Sequence, residues 1–99
     1  MYSVVFSPIA LDQFETVVDD FEAKQSGLGI KFYDYTIKRI DVLYQYPLLP
    51  VVFKSVRVLQ LRKYKYRLHY TINTGKKQIK IIAFIHSKAD PKKWIVVKK

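Results

Sequence analysis

An α+β fold, with a helical hairpin laid on one face of a small antiparallel-rich sheet in the order β-α-α-β-β-β, is what this sequence predicts. Three observations predict it. Apolar residues recur with a helical period up to Tyr44 and with a strand period from Val56 onward. Breakers stand at Ser26-Gly27-Leu28-Gly29, at Tyr46-Pro47 and at Asn73-Thr74-Gly75-Lys76-Lys77. A short β-rich run, Tyr2 to Phe6, precedes the first helical stretch.

Each element follows from its residues. Ser7-Pro8 opens a helix, with a hydroxyl at the N-cap and proline at the first helical position. Phe14, Val17, Val18 and Phe21 then mark one apolar stripe, and Asp12, Glu15, Asp19, Asp20 and Glu22 make the outer side acidic. A second helix is expected from Leu28 to Tyr44, with Tyr33, Ile37, Ile40 and Tyr44 on its inner face. Tyr46-Pro47 ends it, because a residue before proline is pushed out of helical geometry. Pro47 to Phe53 is apolar but holds two prolines, so it reads as an irregular connection.

Val56 to Leu61, Tyr66 to Ile72 and Gln78 to His86 read as three strands. In the middle one, Tyr66, Leu68, Tyr70 and Ile72 share one face, and Arg67, His69, Thr71 and Asn73 share the other. Ile79, Ile81, Ala83 and Ile85 are expected together on one face of the last strand. Ile82 and Phe84 make its second face apolar too, as befits a strand that is central or is covered in part on both sides. Asp90 could cap a short helical turn, with Trp94 anchoring the tail to the sheet.

The chain of 99 residues is 49% hydrophobic and 15% aromatic, which fits a single domain, 1–99, with a real core. It has no cysteine, which excludes a disulfide scaffold, a cysteine zinc site and thiol catalysis. No metal or cofactor is expected. No apolar run reaches the roughly 18 residues of a membrane span, and the first residues lack a secretory pattern. A cytoplasmic protein with no membrane partner is the expectation.

Charge is divided unevenly. Residues 1–53 hold four bases and seven acids, a net −3, and residues 54–99 hold fourteen bases and one acid, a net +13. Such a half attracts polyanions, nucleic acid first among them. A solvated lysine-rich surface or an acidic protein partner fits the same numbers.

Several separated segments resemble the RelE/ParE family, the toxins of type II toxin–antitoxin pairs. They are Phe6-Ser7-Pro8-Ile9-Ala10, Gly27-Leu28-Gly29-Ile30-Lys31-Phe32, Tyr46-Pro47, Arg57, Lys65-Tyr66-Arg67-Leu68-His69-Tyr70, and the closing run from His86 to Trp94. The closing run looks more ParE-like. The resemblance implies a growth-arresting toxin that forms a hetero-oligomer with a cognate acidic antitoxin. It also implies one of two targets: DNA gyrase, or mRNA cut on the ribosome without a metal.

Metal-independent RNA cleavage needs a base for the 2′-OH, a cation for the phosphate and an acid for the 5′-oxygen. The resemblance puts the phosphate-binding arginine at Arg67. It puts two second-strand lysines at Val58 and Gln60, a second arginine at about Lys88, and a tyrosine at about Trp94. Both lysine charges are missing and Trp94 has no hydroxyl, so gyrase inhibition is the favoured mechanism. The rival is ribosome-dependent mRNA cleavage by Arg67, His86 and Lys88, with His86 as the group that titrates near neutrality. A non-toxic basic binding module is the third reading.

Arg57, Arg62, Lys63, Lys65 and Arg67 are the candidate target-binding set, interleaved with Tyr64 and Tyr66. Packing is the ordinary role of tyrosines so placed, and Arg57 or Arg67 could instead pin the C-terminal carboxylate or cap a helix end. Lys92, Lys93, Lys98 and Lys99 read as a solvated basic tail. Leu48, Leu49, Val51, Val52 and Phe53 carry more apolar surface than a free loop should, and so are candidate antitoxin contacts.

Overall fold

The computed structural model describes residues 2–88. Its elements are β1 (Ser3–Phe6), α1 (Pro8–Lys24), α2 (Leu28–Gln45), β2 (Val51–Phe53), β3 (Val56–Leu61), β4 (Tyr66–Asn73) and β5 (Gln78–His86). The sheet runs β1-β5-β4-β3-β2, with β1 parallel to β5 and the other neighbours antiparallel. The two helices cover one face, the α+β layout expected. The turn expected at Asp90, the Trp94 anchor and the terminal lysines lie outside the described residues.

α1 begins where its sequence dictates: the Ser7 Oγ accepts from the Ala10 N–H at 3.1 Å, with Pro8 next in the helix. Gly27 turns the chain at φ +87°, a region that side-chain-bearing residues rarely occupy. The Glu22 carboxylate then accepts from the Gly27 N–H at 2.8 Å and the Gly29 N–H at 3.0 Å. A negative charge therefore satisfies two N–H groups at the start of α2, where the helix dipole favours it.

α2 buries Gly29, Phe32, Thr36, Ile40 and Leu43. The expected inner face is thus turned by about one residue: Tyr33 and Tyr44 are 47% and 38% exposed, Ile37 is half-buried, and Ile40 alone of the four is buried. Tyrosine accounts for this, since its ring packs at a rim while its hydroxyl stays wet. Thr36, polar and in mid-stripe, conceals the true face.

β4 alternates as expected, with Leu68 and Tyr70 fully buried beneath the helices. β5 does not keep one parity. Tyr70 pairs with Ile81 but His69 pairs with Ala83, so Ile82 is an extra residue in a bulge. Ile79, Ile81 and Phe84 therefore face the helices, while Ala83 and Ile85 are buried on the opposite face. The connection after Pro50 is also more ordered than expected. Val51–Phe53 forms an edge strand, which the prolines permit because both precede it.

The core joins Leu59, Leu61, Leu68, Ile79 and Ile81 from the sheet to Phe14, Phe32 and Leu43 from the helices. Aromatic rings extend it toward the β3–β4 turn. Phe14 lies 4.9 Å from Phe84, Phe21 5.0 Å from Phe32, and Tyr64 5.1 Å from Phe32 and 5.3 Å from Tyr35. Tyr64 and Tyr66 are thus packing residues, each such pair contributing about 0.5–1.5 kcal/mol beyond burial.

Candidate functional site

The strand registers decide which candidate residues meet. Gln60 lies opposite Arg67 and Val58 opposite His69 in the β3–β4 pair, while Arg67 lies opposite Ile85 in the β4–β5 pair. Cross-strand partners share a face, so Arg67, Gln60, Val58 and His69 form one patch on the side away from the helices. Gln60 and Val58 bring no charge to it.

His69 is 2% exposed, although the sequence placed it on an open face. Burial first, and the Arg67 charge second, lower its pKa to about 4. It is neutral at neutral pH and too enclosed to trade protons with a substrate.

His86 falls on the other side. It pairs with Tyr66, and the two rings sit edge-on at 5.1 Å. Tyr66 itself packs against Phe21 and Phe32 of the helices. The His86 Nδ1 accepts from the Lys88 N–H at 3.1 Å. The structure therefore joins His86 to the Lys88 backbone but separates it from Arg67 by the thickness of the sheet. The proposed trio of Arg67, His86 and Lys88 is not assembled on one surface.

Arg57 also leaves the candidate set for a structural position. It faces Tyr70 on the helix side, and its Nη1 donates to the Leu49 carbonyl at 2.6 Å. The Tyr70 hydroxyl donates to the Pro47 carbonyl at 2.7 Å and accepts from the Leu49 N–H at 3.4 Å. Together they hold the connection after α2 against the sheet, which answers the question of why it is apolar. Leu49 turns inward and Phe53 is half-buried, while Leu48, Val51 and Val52 are exposed at 69%, 47% and 46%. Those three remain available to a partner.

The basic turn between β3 and β4 is built on rings. The Lys63 Nζ sits 5.6 Å above Tyr64 and 6.0 Å above Tyr35. Lys65, at φ +61°, turns the chain, and its carbonyl accepts from the Ser87 N–H at 2.8 Å. Arg62 is exposed at the end of β3.

Arg39 is the residue that sequence reasoning missed. It comes from α2, in the acidic half of the chain, and its Nε and Nη2 donate to the Gln60 carbonyl at 3.3 and 3.1 Å. β2 pairs with β3 only at Val56 and Arg57, so the β3 edge beyond them has no strand neighbour among the described residues. A cleft of about 340 Å³ opens there, lined by Arg39, Arg62 and Arg67 with Leu49, Pro50 and Val52 among its apolar walls. Three guanidinium groups around one cleft suit an anion, since each presents a planar fork of donors. Among the described residues no three His, Cys, Asp or Glu side chains converge where a metal could sit, and no helix is long and apolar enough to cross a membrane.

No protein-family model and no curated protein matches the chain. Solved structures do. A chain of the chromosomal ParDE TA system from P. aeruginosa superposes with a TM-score of 0.77 at 16% identity, over 89% of this chain and 98% of that one. The isolated E. coli RelE toxin gives 0.67 at 18% identity, over 99% and 97%. A chain of the intact E. coli RelBE toxin–antitoxin complex gives 0.57 at 15% identity, over 90% and 100%. At these identities the likeness establishes a shared fold over essentially the whole chain.

Proposed function

We propose that this chain, which has the fold of the ParE- and RelE-type proteins, is the toxin of a type II toxin–antitoxin pair. In this reading it arrests growth by inhibiting DNA gyrase and is silenced by a cognate antitoxin. Two observations support the toxin reading: the sequence segments that resemble the family, and the whole-length superposition on chains of ParDE and RelBE systems. The observation that carries the mechanism is the register around Arg67. Its cross-strand neighbour is Gln60, the next outward residue of β3 is Val58, and His86 lies across the sheet. In this reading Arg67 is a phosphate or protein contact, and neither Gln60 nor Val58 brings to its patch a charge of the kind that metal-independent RNA cleavage uses.

The second reading, ribosome-dependent mRNA cleavage, draws its support from the cleft, where Arg39 and Arg62 stand beside Arg67 and could neutralise a scissile phosphate. A supercoiling reaction separates the two. Purified chain added to gyrase and relaxed plasmid is expected to block supercoiling, and Arg67→Ala to weaken the block. Unimpaired supercoiling, with mRNA cut in a translating extract, would overturn the gyrase reading.

A further inference from the structure

The helices α1 and α2 touch at one end and part toward the other. Near the Gly27 turn they lie so close that a Cβ on Gly29 would stand 2.6 Å from the Val18 carbonyl oxygen. Toward Leu11 and Ile37 they leave a cavity of about 500 Å³, within the ordinary range of small-molecule sites. It is a wedge, closed where the helices meet. From Leu11 to Asp19 it runs about 12 Å along α1, at about 1.5 Å per residue. That is short for a docked helix and ample for a small organic molecule.

The lining has two parts. Rings make the floor: Phe14 lies 5.8 Å from Phe6 and 5.5 Å from Tyr33, at interplanar angles of 29° and 27°. Tyr33 is 47% and Leu11 44% exposed, so apolar surface is open to a guest. The rim is anionic. Glu15 and Asp19 are exposed, stand one helical turn apart, and have no cationic partner among the described residues. Like charges so spaced weaken a helix slightly, and a cation between them offsets that cost. Among the described residues no base lines the cavity, although the chain carries a net +10.

Ring faces are negative at their centres, so the floor and the rim attract the same kind of guest. We propose that the wedge between α1 and α2 is a binding site for a small organic cation, an amine or quaternary ammonium carried on a flat apolar body. The body covers Leu11 and Tyr33 above the Phe14 ring, and the positive head stands between Glu15 and Asp19. An anion is repelled at the rim, and a neutral apolar molecule leaves the rim unused. The site lies on the helix side of the sheet, away from the Arg67 patch, and does not depend on the toxin reading.

The test is an NMR titration of the isotopically labelled chain with three probes of one shape: 2-(1-naphthyl)ethylammonium, the neutral 2-(1-naphthyl)ethanol and the anionic 1-naphthylacetate. Salt is held at about 0.15 M, where the Debye length of about 8 Å screens the net charge of the chain. The ammonium is expected to bind with a dissociation constant of about 1 mM or below and to shift the signals of Leu11 to Asp19 and Tyr33 to Ile37. The alcohol should bind about tenfold more weakly, the difference of one charge-assisted contact, and the acetate more weakly still. Glu15→Gln combined with Asp19→Asn should cost about tenfold for the ammonium and nothing for the alcohol. Tyr33→Ala should cost about threefold for the ammonium. Asp20→Asn removes the same charge from the other side of α1 and should leave binding unchanged. Glu15 and Asp19 make no contact on which folding depends, so their variant decides the matter even where Tyr33→Ala unfolds.

Alcohol and ammonium binding equally well would overturn the proposal, as would ammonium shifts centred on other residues. Equal losses in the Asp20 variant and the Glu15–Asp19 variant would reduce the effect to general charge and overturn it too. So would a chain that does not bind the ammonium at all.

Discussion

Replacing His69 with glutamine should remove a defined acid sensitivity from this protein. In the folded chain His69 is 2% exposed and its pKa is about 4, through burial first and the Arg67 charge second. In the unfolded chain it returns to about 6.5. Because the folded value is the lower one, the unfolded state binds the proton first as pH falls. Stability is therefore intact above about pH 6.5 and is lost as pH drops from there through about 4.

The gap of about 2.5 pH units, at about 1.4 kcal/mol each, gives a total loss of about 3 kcal/mol. About 2 kcal/mol of it is already gone at about pH 5. Urea unfolding of the parent chain should show that loss between about pH 7.5 and about pH 5, as a fall in midpoint on the order of 1 M. The His69→Gln variant should keep only the acid sensitivity that the carboxylates impose. Parallel loss in both proteins, or a His69 titration observed by NMR near about 6.5, would refute the reasoning.

Gly29→Ala should destabilise, although alanine is normally the better helix former by about 1 kcal/mol. The new Cβ would lie 2.6 Å from the Val18 carbonyl oxygen and 3.0 Å from Glu22, so the helices must part. A net cost of about 1–3 kcal/mol and a melting temperature lower by several degrees are expected in calorimetry; a rise would show the helices are free to adjust. Tyr70→Phe removes the hydroxyl that holds both Pro47 and Leu49. It should cost about 1–2 kcal/mol and speed proteolysis near Pro47, and an unchanged cleavage rate would show that Arg57 alone secures the connection.

Much of this fold was legible because local chemistry and tertiary structure agree. Ser7-Pro8 can cap a helix and does, Gly27 can turn left-handed and does, and the Gln78 to His86 strand runs between its expected limits. What stayed hidden depends on partners distant in the chain. The bulge at Ile82 alters parity within an all-apolar stretch, where alternation carries no signal. The inner face of α2 is blurred by tyrosines on its rim and by Thr36 at its centre.

The candidate site shows the same division. Alternation in β4 gave the face of Arg67, yet only the bulged register of β5 reveals that His86 points the other way. Arg39 was invisible for a different reason. It sits in a net-acidic half of the sequence and reaches the basic cleft only because α2 ends beside the β3 edge. The one hint was its position four residues after Tyr35, on the flank of the buried stripe.

The measurement that tests the central claim most directly is pulse-labelling after this chain alone is induced in a bacterial host. Protein and DNA synthesis would be followed in parallel through the first minutes. The account predicts that DNA synthesis fails first, with damage signalling, and that Arg67→Ala relieves the block. Translation collapsing first would contradict it and would make the arginine cleft a site of RNA cleavage.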